Sequence, residues 1–172
     1  ISAVAGWFAA PDRLWANVLL AGFFALTVSM GALVFLATQV VTDSSWSRGF
    51  QRITESLSAG LWVGLAVVAL AIVFGAHSLY GWVHEGGHSP HAQEVWLSRP
   101  FQLARLAIYA LAWLTLGSSL IRRVRSEREL HSFTESHRGF AAGFLAVFAL
   151  TFTAAGMDWI MTLEPHWFST IF

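Results

Sequence analysis

Cysteine is absent from the 172 residues, and so is lysine. Without a thiol the chain cannot form a disulfide, hold an iron–sulfur cluster through thiolates or attach a c-type haem covalently. All ten basic residues are therefore Arg, and they offset ten acidic ones to a formal net charge of +0. That balance leaves no strongly basic face for nucleic acid or an anionic substrate. Charge of either sign is scarce: 12% of residues are charged and 56% are hydrophobic, with a mean hydropathy of +0.59. Ordinary soluble domains do not have this composition. The stretch 1–10 also lacks the basic n-region of a secretory signal and reads as an interfacial lead-in to the first apolar run.

What is present in quantity is long apolar sequence. Four stretches, at about 14–41, 57–83, 103–121 and 139–161, are long enough to cross about 30 Å of hydrocarbon as helices rising 1.5 Å per residue. Irregular backbone cannot face lipid with its N–H and C=O groups unsatisfied, and runs of this length are too long for barrel strands. The expected fold is an all-α integral membrane protein, four transmembrane helices forming one up-down four-helix bundle over 1–172. Loop chemistry separates the spans at Thr42 to Ser45, at Gly86 to Pro90 and at Arg122 to Arg138. Ahead of the second span, Trp46, Phe50, Ile53 and Leu57 recur at helical spacing with Arg48, Gln51, Arg52 and Glu55 mostly on the other side, which reads as a short interfacial helix.

The Arg residues are unevenly placed. Arg48 and Arg52 lie between spans one and two, and Arg122, Arg123, Arg125, Arg128 and Arg138 lie between spans three and four. By the positive-inside rule those loops are expected on the cytoplasmic side, with the N-terminus, the His-rich loop and the C-terminal aromatic segment outside. Trp7, Trp15, Trp82, Trp96, Trp159 and Trp167 fall near the outer boundary, where indoles anchor at headgroup level. Gly60 with Gly64, and Gly139 with Gly143, make small-xxx-small pairs that permit close helix contact.

An ionisable group inside a span is costly and is a functional candidate by default. His77 in span two, Arg105 in span three and Asp158 in span four are the candidates, expected at similar depth. A carboxylate and an imidazole together could exchange protons with a quinol, and an Arg could pair with the carboxylate. The bland alternative has Arg105 snorkelling, His77 bonding a neighbouring helix and Asp158 in water. The loop residues His84, Glu85, His88, His91 and Glu94 have no recognised metal-ligand spacing and read as solvated. A b-type haem would need two axial ligands at matched depth, and His77 is the one His well inside a span. Near the C-terminus Pro165 restrains Glu164 from helical geometry, so span four is expected to break there and present Glu164 and His166 on an interfacial turn beside Trp167 and Phe168.

The segment from Asp158-Trp159-Ile160-Met161 through Glu164-Pro165-His166-Trp167 to Phe172 resembles the signature of the ActF-type membrane subunit of bacterial alternative complex III. Phe74 to Trp82 and Arg99-Pro100-Phe101 resemble other parts of that subunit. The resemblance implies a relative of the NrfD-like, polysulfide-reductase membrane subunits, which have two four-helix bundles, with this chain supplying the first. It implies a scaffolding, proton-translocating subunit of a quinol-oxidising respiratory complex in the bacterial cytoplasmic membrane. Its expected partners are an NrfD-like quinol-binding subunit, a multihaem cytochrome c, an iron–sulfur subunit, lipids and a terminal oxidase. Haem c, iron–sulfur clusters and menaquinol would be held by partners and no cofactor by this chain. His77, Asp158, Glu164 and His166 carry over as proton-handling candidates, with Arg105 as the carboxylate's partner. A passive membrane anchor and a proton-coupled transporter are the rival readings.

Overall fold

The computed structural model describes residues 11–44, 46–81, 96, 98–126 and 135–163. Four apolar helical spans follow one another, and the described residues contain no strand. The chain is an all-α, multi-pass membrane protein. Helix α1 runs Pro11–Val41; a 3-10 turn at Trp46–Phe50 leads into α2, Gln51–Ser58; α3 is Leu61–Phe74 and α4 is the single turn Ala76–Leu79. Helix α5 spans Arg99–Ser126 and α6 spans Glu135–Trp159, followed by a 3-10 turn at Met161–Leu163. Helix α1 packs most extensively on α3 and then on α6, and α5 lies mainly against α6.

Close approach of α1 to α3 depends on glycine. A Cβ at Gly64 would lie 2.7 Å from the Leu26 backbone nitrogen, and one at Gly22 would lie 2.8 Å from Val67 Cγ1. In lipid, where apolar burial gives no drive between helices, such backbone proximity supplies the packing attraction. Gly139 and Gly143, the other pair legible in sequence, have nothing within 4 Å of such a Cβ among the described residues. Leu26, Met30, Leu33, Val68, Ile72, Trp113, Leu120 and Phe144 fill the interior, while Leu20, Phe24, Trp62, Phe74, Leu111 and Leu150 face outward to the hydrocarbon.

The ends of the spans differ from the sequence expectation in three places. The second span is interrupted earlier than 83: α3 starts at Leu61 and stops at Phe74, Gly75 adopts φ −93° and ψ −3°, and one further turn follows. A side chain at Gly75 would collide with the Trp15 ring at 2.6 Å. The exposed α3 carbonyls are taken by Arg99, whose Nη1 donates to Ile72 O at 3.0 Å and Nη2 to Val73 O at 3.3 Å. The last helical carbonyls of a span need such a donor when no water reaches them. The fourth span leaves α-helical geometry after Trp159, ahead of Glu164 and Pro165, which lie outside the described residues.

The third difference concerns the indoles. Trp15 and Trp159 are buried in the protein, not turned outward as anchoring indoles. Trp159 sits in an aromatic nest with Phe23, Tyr109 and Trp113, ring centroids 6.5, 5.9 and 5.8 Å away, and its carbonyl accepts the Tyr80 hydroxyl at 3.1 Å. Edge-to-face packing of this kind rewards burial more than an interface does. Trp7, Trp82 and Trp167 lie outside the described residues.

At the other end of the bundle the connection after α1 is closed by a left-handed residue. Asp43 has φ 51°, Ser44 N–H donates to Gln39 O at 3.1 Å and Asp43 N–H to Val40 O at 3.3 Å. These are the two bonds of a Schellman cap, made without the usual glycine because Asp tolerates this region better than most residues. Helix α2 turns Ile53 and Leu57 outward, as the preceding turn does Trp46 and Phe50, and buries Thr54, Glu55 and Ser58.

Candidate functional site

The polar interior lies where α5 meets α6, near the end of the bundle that carries Gly75 and Arg99. Gln102, Arg105 and Tyr109 recur at i, i+3 and i+7 on α5, so helical geometry places them on one face. That face meets Asp158 in the last turn of α6. Arg105 Nε donates to Asp158 Oδ2 at 2.7 Å, with side chains 8% and 0% exposed. The Tyr109 hydroxyl donates to the same oxygen at 2.8 Å.

Arg105 is held from three further directions. Its Nη1 donates to the Trp96 carbonyl at 3.0 Å. The guanidinium carbon also lies 4.2 Å from the centroid of the Trp96 ring and 4.5 Å from that of Phe101. A weakly hydrated, planar guanidinium close to two aromatic rings suits Arg better than Lys. Continuing outward, Arg99 Nη1 donates to Gln102 Oε1 at 2.9 Å. The network thus runs from the α3 terminus through Arg99 to Gln102, one helical turn from the ion pair.

The network leaves specific atoms over. Asp158 Oδ1, Gln102 Nε2 and Trp159 Nε1 are buried and have no hydrogen-bond partner among the described residues. Leaving a buried polar atom unpaired costs about 1–3 kcal/mol, more for a charged group. Three such atoms on neighbouring residues of α5 and α6 give this end of the bundle a polar interior with unused hydrogen-bonding capacity.

Of the residues singled out in sequence, Arg105 and Asp158 come together directly. The snorkelling alternative for Arg105 and the solvated alternative for Asp158 are corrected: both residues are buried in protein. His77 is placed differently from the expectation of a group well inside a span. It sits on α4, beyond the Gly75 interruption, and is exposed while Asp158 is 1% exposed. Glu164, His166 and the loop residues His84, Glu85, His88, His91 and Glu94 lie outside the described residues.

Sequence reading missed Tyr109, Gln102 and Arg99. The signal for Tyr109 was available: with Tyr80 it is one of two tyrosines in the chain, and it stands four residues after an intramembrane Arg. Arg99 gave no such signal, because two of its three acceptors are backbone carbonyls 26 and 27 residues earlier. Compared with protein-family models and with curated proteins, the chain matches none.

Proposed function

We propose that this chain is a membrane-embedded scaffold subunit of a quinol-oxidising electron-transfer complex, in which haem c and iron–sulfur centres are carried by partner subunits. The observation that carries the scaffolding role is how the intramembrane charges are used. Arg105 and Asp158 are spent on each other, with the carboxylate side chain 0% exposed and Tyr109 bound to the oxygen that Arg105 already holds. Such a pair locks α5 to α6. The electron-transfer setting is supported by the resemblance of Asp158 to Phe172 to the alternative complex III subunit. In this reading the NrfD-like partner takes the quinol, the chain lies in a bacterial cytoplasmic membrane, and the Arg-rich end faces the cytoplasm.

A second role, proton handling at Asp158, is favoured by one feature: Oδ1 is buried and has no partner among the described residues. The carboxylate therefore keeps one acceptor that neither Arg105 nor Tyr109 occupies.

Affinity purification through a tag on this chain in mild detergent, with a reduced-minus-oxidised spectrum and mass spectrometry of copurified subunits, tests the setting. The expected result is c-type haem, an iron–sulfur protein and an NrfD-like subunit. A chain that purifies alone without haem leaves a passive anchor or a transporter. Asp158→Asn then separates the roles. Intact assembly with unchanged quinol turnover and proton coupling supports scaffolding alone; lost coupling in an assembled complex supports proton handling.

A further inference from the structure

Beside the aromatic nest, on the outward side of α1, a groove of about 320 Å³ runs between three elements. Its walls include Ala16, Leu20 and Phe23 of α1, Ser78 and Leu79 of α4, and Leu163 of the last 3-10 turn. Leu20 on its rim is 68% exposed and Leu163 is 36% exposed, so the groove opens on the surface that faces lipid.

Arg13 precedes the groove-lining Ala16 by about one turn of α1. Arg13, Ala16, Leu20 and Phe23 follow at i, i+3, i+7 and i+10, which places them on one face of α1. Arg13 is exposed in the first turns of the helix. The two other described Arg residues at this end are engaged inside the protein, Arg99 on α3 carbonyls and Arg105 on Asp158. From Arg13 to Phe23 an α-helix rises about 15 Å, which is the depth of one leaflet in a hydrocarbon core about 30 Å thick. A cation at the headgroup level with an apolar furrow descending from it by one leaflet has the dimensions and polarity of a phospholipid.

We propose that this groove is a binding site for one anionic phospholipid, with the phosphate group on Arg13 and an acyl chain along Ala16, Leu20 and Phe23. The acyl chain fills apolar volume that no side chain among the described residues occupies. The guanidinium's planar fork of donors matches a phosphate oxygen pair, which every phospholipid carries; its preference for an anionic headgroup comes from net charge, because the ammonium of a zwitterionic headgroup offsets the phosphate. The site requires only that the chain spans a membrane, and it stands whether or not the chain belongs to a quinol-oxidising complex.

The test uses the full chain, with whatever subunits accompany it, reconstituted into bilayers of equal parts phosphatidylglycerol and phosphatidylethanolamine, then released in mild detergent for native mass spectrometry. The wild type is expected to retain phosphatidylglycerol in preference to phosphatidylethanolamine. Arg13→Gln, an exposed change that leaves the core intact, should lower that preference about fivefold, the scale of one basic residue at an anionic surface. Ala16→Phe, which fills the groove, should reduce retention of both lipids. Equal retention of the two lipids by the wild type overturns the proposal. So does retention unaffected by both variants, or recovery of an isoprenoid quinone in place of phospholipid.

Discussion

The two ends of the bundle are both tied together by Arg and a carboxylate, yet they do it in opposite surroundings. At the Gly75 end, Arg105 and Asp158 meet at 2.7 Å with side chains 8% and 0% exposed. At the other end, Arg125 Nε meets Glu55 Oε2 at 2.9 Å with side chains 59% and 6% exposed, and Arg138 Nη2 meets Asp43 Oδ2 at 2.8 Å with 34% and 29% exposed. The distances are alike; the solvent is not. A half-exposed pair exchanges one hydrated arrangement for another and gains little. A buried pair has no water to fall back on, so removing one partner strands the other. Similar contact lengths therefore correspond to unequal contributions, and burial decides which of them governs the fold.

The sharpest way to break that comparison is Arg105→Ala. It leaves the Asp158 carboxylate buried with Tyr109 alone, and the expected loss is about 3–5 kcal/mol, read by titrating the protein with SDS in mixed micelles and following tryptophan fluorescence. A loss under about 1 kcal/mol would put this pair on the level of an exposed one. Replacing both partners together, Arg105→Leu with Asp158→Leu, should recover most of the loss, because no stranded charge remains.

Next in size is Tyr109→Phe, which removes one neutral donor to a charged acceptor while keeping the ring. About 1.5–3 kcal/mol is expected in the same titration. An unchanged midpoint would mean that the hydroxyl contributes geometry and no net stability.

Smaller effects belong to the opposite end. Glu55→Gln keeps the buried shape but gives up the pair with the largely exposed Arg125, for an expected loss of about 1 kcal/mol. Asp43→Asn keeps a residue suited to φ 51° and removes only the charge facing Arg138; a few tenths of a kcal/mol is expected. That last difference should vanish in about 1 M salt, where the screening length falls to roughly 3 Å, whereas the Arg105→Ala loss should persist. Salt sensitivity at both ends alike would contradict the contrast in burial.

The four spans were legible because a lipid-crossing helix is a local property: its length and apolar content can be counted along the chain. The same locality made Arg105 and Asp158 stand out, since any charge inside such a run is conspicuous. It could not reveal the interruption at Gly75, which lies inside an unbroken apolar run and depends on Trp15 occupying the space of a side chain and on Arg99 taking the freed carbonyls. Nor could it separate Trp96, 44% exposed, from Trp159, buried among aromatic rings, since both stand near a span boundary.

Helix number, membrane residence and the identity of the intramembrane charges are therefore written in residue order, because each depends on composition within one segment. Which helices touch, which glycines are in contact and which charge meets which are not. Apolar spans in lipid carry almost no facial contrast, so partner choice falls to backbone proximity at Gly22 and Gly64 and to the few polar groups that must find one another. Those conditions are satisfied only between segments, and they come into being when the bundle closes.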